Sequence, residues 1–137
     1  MSPTLIPGLL LCAIAVAVFL VYVPFVAVAI ARFQLGYDRS APRAMFEQLP
    51  PYAQRATWAH QNGFESLIQF APAALMAYAT GLDSSLALGA AAAHVVARLF
   101  YGLFYILDWP NLRSLMYAIG SLGTFTLFFM ACRSALV

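Results

Sequence analysis

PTLIPGLLLCAIAVAVFLVYVPFVAVAIA, residues 3–31, contains no charged side chain. A bilayer's hydrocarbon core is crossed by roughly 20 helical residues at about 1.5 Å each. The run therefore predicts a membrane-spanning helix over about residues 3–32, long enough to tilt or to project beyond the core. Pro24 removes one backbone hydrogen bond and predicts a kink, which neighbouring helices can accommodate inside a membrane. Ala29-Ile30-Ala31 resembles a signal-peptide cleavage site, but the apolar run is too long for a signal peptide and no basic segment precedes it. The segment is expected to be a retained helix.

The rest of the sequence extends this reading. Of the 137 residues, 64% are hydrophobic and 9% charged, against about 25% charged in ordinary soluble domains. A soluble fold of this size has too little polar surface to cover so much apolar area, and residues 1–137 are expected to form a single membrane domain. All seven basic residues are arginines, the net charge is only +2, and no basic run occurs. Nucleic acid is therefore not an expected partner, whereas membrane lipids are. Cys12 and Cys132 both lie within apolar stretches, where small buried thiols are common, and they indicate neither a disulfide nor a metal pair.

Residues 33–51 form a polar connection punctuated by Gly36, Pro42, Pro50 and Pro51. A second helix is predicted over 51–81, with proline in its favourable first turn. Its first turns should stand among the headgroups or in the cytosol. The short turn Gly81-Leu82-Asp83-Ser84 predicts an antiparallel hairpin with a third helix over 84–107, with Ser84 or Asp83 as N-cap. Asp108-Trp109-Pro110-Asn111 breaks the chain before a fourth helix over 111–133. The expected class is an all-α integral membrane protein, a four-transmembrane-helix bundle. Arg32, Arg39, Arg43, Arg55 and Arg113 flank the first and third loops, and only Arg133 lies at the opposite end. The positive-inside rule then places loops one and three in the cytoplasm.

Polar residues at membrane depth are costly and default to functional candidates. Successive 100° steps put Arg55, Trp58, Asn62, Glu65, Ser66 and Gln69 on one face of the second helix, with His60 directed away as a headgroup-level bystander. The same arithmetic collects His94, Arg98, Tyr101 and Tyr105 on the third helix, and Arg113 with Tyr117 on the fourth. Glu65 lies about 20 Å along its helix and Arg98 about 14 Å from the same side, so the two are expected to meet as an ion pair. That pair can lock the hairpin or serve a site; Asn62 can be interhelical glue, and the tyrosines can be interfacial belt residues. His94 is expected to satisfy a helix contact, since no second metal ligand stands one turn away, and no metal site is expected. Arg113 opposes its helix dipole and calls for a compensating anion.

The stretch Arg55-Ala56-Thr57-Trp58-Ala59-His60-Gln61-Asn62-Gly63-Phe64-Glu65, followed by Ile68-Gln69-Phe70, resembles the second-helix signature of the MAPEG family, the membrane-associated proteins in eicosanoid and glutathione metabolism. Arg98-Leu99-Phe100-Tyr101, then Tyr105, Pro110, Arg113, Ser114 and Tyr117, is similar to the family's third- and fourth-helix pattern. The resemblance covers essentially the whole chain and suggests a bacterial-type member, which in a bacterium implies the inner membrane. It implies a homotrimer of four-helix protomers binding glutathione between neighbouring subunits, in a cavity open to the cytosol. By position, Asn62, Glu65, Arg98, Tyr105, Arg113, Ser114 and Tyr117 match glutathione-contacting residues, with Arg55 and Tyr101 beside them. Arg113 and Ser114 match the place where the thiol is held and activated. The implied activity is that of a glutathione-dependent transferase or peroxidase acting on lipophilic electrophiles. Two competing readings are a MAPEG-like protein binding another amphipathic anion or lipid, and a purely structural bundle. Where many family enzymes carry an arginine one turn before the asparagine, this chain has Trp58; Tyr101 replaces a histidine of some members, and the connection from Tyr105 to Arg113 is one residue shorter.

Overall fold

The computed structural model describes residues 5–137. It consists of α1 (Leu5–Gln34), a 3₁₀ helix (Pro42–Gln48), α2 (Pro51–Ala79), α3 (Ser85–Ile106) and α4 (Pro110–Ala135). The expected start of the first helix, at residue 3, lies outside the described residues. Pro50 is extended and Pro51 opens α2, as a residue without an amide hydrogen can do at no cost in the first turn. α2 stops at Ala79 rather than residue 81, because Gly81 takes a left-handed φ of 64° and turns the chain. Ser84 does occupy the N-cap position of α3, but its side chain makes no capping bond.

The polar connection before α2 contains structure that its composition did not announce. Pro42 opens the 3₁₀ helix, whose Met45 is buried, and Leu49 just beyond it is buried too. Leu49 packs with Val28 and Ala31 of α1 and Ala53 and Ala56 of α2, closing the end of the bundle that carries most of the arginines.

Three helices, α1, α3 and α4, are long and apolar enough to cross a membrane. α2 has 29 residues, ample length, but Arg55, His60, Asn62, Glu65 and Gln69 interrupt its apolar surface. The outward faces are apolar: Phe19, Val26 and Ile30 on α1, and Leu122, Phe125 and Phe129 on α4, are all exposed. Such exposure is unfavourable in water and favourable in lipid.

The interior is made of small residues. α1 packs chiefly against α2, and α3 against α4. Ala73, Ala74 and Ala77 of α2 meet Ala87, Ala90 and Ala91 of α3 in a core completed by Leu10, Phe70 and Leu127. Small side chains let backbones approach, which is how helices associate where lipid removes the hydrophobic drive. The limiting case is Gly123, where a Cβ would lie 2.5 Å from the Ala90 carbonyl oxygen.

Candidate functional site

The polar face of α2 meets α3 at Asn62. Arg98 donates from Nη1 to the Asn62 side-chain oxygen at 3.0 Å, and the Asn62 amide nitrogen donates to Glu65 Oε2 at 2.9 Å. Both ends of one amide are thereby engaged, so its orientation is fixed. The expected ion pair between Glu65 and Arg98 is not formed directly. The short amide of Asn62 stands between them, and Glu65 remains on the exposed edge of α2. The Arg98 guanidinium lies over the buried Tyr101 ring at 4.1 Å from its centroid, a cation–π contact that compensates partial desolvation.

From α4, Arg113 reaches back over the Tyr105 ring at 4.6 Å, and the ring of Tyr117 stands 6.3 Å from that of Tyr101. Asn62, Tyr101, Arg113, Ser114 and Tyr117 line an open pocket of about 310 Å³. A smaller polar recess of about 40 Å³ adjoins it between α2, α3 and α4, lined in part by Gln69, Arg98, Ser121 and Thr124. Arg113 has no acidic partner among the described residues, where the one ion pair is Arg55 with Asp108. The pocket therefore offers an anion a cation at its mouth, an exposed hydroxyl at Ser114 and fixed amide and tyrosyl groups within.

Beneath the pocket, His94 is buried and stacked on Phe70 with ring centroids 3.9 Å apart. The Gly120 carbonyl oxygen accepts from His94 Nδ1 at 3.0 Å and from Thr124 Oγ1 at 3.1 Å. This contact ties α3 to the part of α4 that follows Tyr117.

A family model described as the MAPEG family matches residues 9–133, nearly the whole chain. The chain belongs to the MAPEG family. Members are membrane proteins, generally trimeric, of a glutathione-related, transferase-like kind, and the three apolar helices agree with an integral membrane protein. No curated protein and no solved structure matches the chain.

Of the positions that match the MAPEG pattern, the structure gathers Asn62, Glu65, Arg98, Tyr101, Tyr105, Arg113, Ser114 and Tyr117 around the pocket or its recess. Arg55 is placed elsewhere: its guanidinium binds the carbonyl of Ile106 at the end of α3. His60 is also not a bystander. It donates from Nδ1 to the Val21 carbonyl oxygen at 2.6 Å and packs against Tyr22, Phe25 and Phe64, fastening α2 to α1. Sequence reading passed over Gly120, Ser121, Gly123 and Thr124. Their spacing from Tyr117 at three, four, six and seven residues was the available signal, since it continues the polar and small face of the fourth helix. On the α1–α2 side a second cavity of about 620 Å³ is lined by Arg32, Arg43, Tyr37, His60 and Gln61 among others. The buried Nε of Arg32 has no hydrogen-bond partner among the described residues.

Proposed function

We propose that this protein is a membrane-embedded, glutathione-dependent transferase or peroxidase of the MAPEG kind, acting on lipophilic electrophiles. The observation that carries the proposal is Arg113, a cation without an acidic partner among the described residues, at the mouth of a pocket it shares with Ser114 and Asn62. A guanidinium beside a thiol favours its ionised form, and the thiolate is the nucleophile. Glutathione supplies that thiol. Arg113 holds the developing negative charge, Ser114 donates a hydrogen bond to the sulfur, and the Glu65 carboxylate oxygen not bonded to Asn62 takes the amino group. The sulfur forms a bond to the electrophilic atom of the second substrate, whose leaving group departs with the bonding electron pair. A lipophilic electrophile enters from the bilayer side, across the apolar outer faces.

In this reading α2 is a fourth transmembrane span, the protein is a homotrimer, and neighbouring subunits complete the site. The polar residues of α2 support that arrangement, since a lipid-facing Glu65 or Gln69 would be costly. The first and third loops face the cytoplasm, so a reporter fused at Val137 is expected to behave as non-cytoplasmic. A cytoplasmic signal there would sink the orientation and the span count together.

The proposal is tested by ultraviolet difference absorption on the assembled protein. Glutathione is expected to show a thiolate band below the pH at which the free thiol ionises. Arg113→Ala should abolish the band, and Ser114→Ala should reduce it less. Trp58 favours one variation on the reading: its ring lies between those of Phe46 (5.7 Å) and Tyr105 (6.4 Å), building an aromatic wall instead of a second cation. Glutathione should therefore bind weakly, and Trp58→Arg should tighten it by about 1.5–3 kcal/mol, the scale of a charge-assisted hydrogen bond. If neither wild type nor Trp58→Arg binds glutathione at millimolar concentration in a correctly assembled trimer, the ligand is a different amphipathic anion, one whose apolar part lies on that wall.

A further inference from the structure

The turn that launches α4 is held by a side chain from α2. α3 ends in a Schellman arrangement: the Trp109 amide donates to the Phe104 carbonyl at 2.9 Å and the Asp108 amide to the Tyr105 carbonyl at 3.2 Å. The rings of Phe104 and Trp109, 5.6 Å apart, make the apolar contact that accompanies this motif. The motif requires one left-handed residue. α2 ends in the same way and uses Gly81, but here the residue is Asp108, at φ 61°. Aspartate is one of the few side-chain-bearing residues that visit this conformation, and it does so less readily than glycine.

The arrangement satisfies the carbonyls of Leu103, Phe104 and Tyr105 and gives that of Ile106 no backbone donor among the described residues. Arg55 supplies the missing donors. Its Nε and Nη2 lie 3.2 and 3.0 Å from the Ile106 carbonyl oxygen, and Nη1 lies 3.9 Å from the Asp108 carboxylate. A cation at a helix C-terminus is also favoured by the helix dipole. One guanidinium thus engages both the last carbonyl of α3 and the strained residue of the turn. Residues 107–109 are all that separate α3 from α4, and the Arg113 amide donates to the Trp109 carbonyl at 3.0 Å. Any displacement of the turn is passed directly to the first turn of α4.

We propose that Arg55 is a positioning residue: by clamping the Ile106 carbonyl it fixes the α3–α4 turn and so holds the Arg113 guanidinium in place over Tyr105. Arginine is required because two donors in a rigid fork converge on one oxygen, which a lysine ammonium on a flexible stem does not reproduce.

Hydrogen exchange on the full chain in detergent, without glutathione, tests the clamp at the amides of Asp108, Trp109 and Arg113. Arg55→Met should speed their exchange by about ten-fold or more while the amides of α1 keep their protection. Arg55→Lys, which keeps the charge but is shorter and lacks the fork, should loosen the same three amides by about three-fold. Asp108→Gly should leave them within about two-fold of wild type, because the carbonyl clamp stays and glycine adopts the left-handed turn freely. The proposal is overturned if Arg55→Met leaves the three amides protected, or if Asp108→Gly loosens them as much as Arg55→Met does. It is equally overturned if Arg55→Met unfolds the whole chain while Arg55→Lys exchanges like wild type. A second arm rests on the glutathione reading: the pH midpoint of thiolate formation should rise by about half a unit in Arg55→Met, with glutathione affinity changed far less. A general loss of structure would move affinity as well. Failure of glutathione to bind removes this arm alone and leaves the exchange result standing.

Discussion

Arg98→Met is expected to lower the stability of the detergent-purified assembly by about 2–4 kcal/mol, the sum of a charge-assisted hydrogen bond and a partly desolvated cation–π contact. The bond is to Asn62 and the ring is that of Tyr101. Glu65→Gln should cost less, because Glu65 sits on the exposed edge of α2 and donation from Asn62 to a neutral amide oxygen survives. The informative measurement is a double-mutant cycle between positions 65 and 98, performed in wild type and again with Asn62→Leu. Since Asn62 carries the interaction from one charge to the other, the coupling should be measurable in the first cycle and collapse in the second. A coupling that persists or grows when the amide is removed would mean that the two charges act on each other directly.

Gly123→Val should destabilise the bundle by about 1–3 kcal/mol, the usual cost of overpacking a close contact. The Cβ at this position would meet a backbone oxygen, that of Ala90, at 2.5 Å. No rotamer relieves such a clash, so α3 and α4 must separate. Gly120 gives the control, because a Cβ there meets nothing closer than 3.7 Å. Gly120→Ala should therefore lie within about 1 kcal/mol of wild type, with the gain in helix propensity offsetting any crowding. Thermal melts that rank the two substitutions equally would show that the helices do not approach as described. Because α4 carries Arg113 and Tyr117, the Gly123 variant should also weaken any ligand of the pocket more than Gly120→Ala does.

Which side chains gather at the pocket was largely legible before their geometry was. The steps 55, 58, 62, 65 and 69 on α2, and 94, 98, 101 and 105 on α3, place residues on helix faces, and a face is a local property of a regular helix. Asn62, Arg98, Tyr101, Arg113, Ser114 and Tyr117 accordingly stand together. Partners were not legible. Glu65 and Arg98 are at compatible depths, yet whether two long side chains touch depends on helix rotation and offset by less than one turn. Here that offset gives Arg98 to Asn62. Arg55 shares a face with Asn62 but lies two turns nearer the start of α2, level with the last carbonyl of α3, which claims it.

The sequence by itself determined that this is a helical membrane protein of the MAPEG family and which side chains form its polar face. An apolar run, a proline at a helix start and a period of 3.6 residues act within one segment, and each can be evaluated without knowing what the segment touches. Tertiary structure alone decided that Asn62 mediates between two charges, that His60 binds α1, that Arg55 closes the end of α3, and that Gly123 brings α4 against Ala90. Each of these depends on the height and rotation of one helix relative to another. Those quantities are set by the packing of many alanines and glycines whose identities differ little along the sequence, so no single segment contains them.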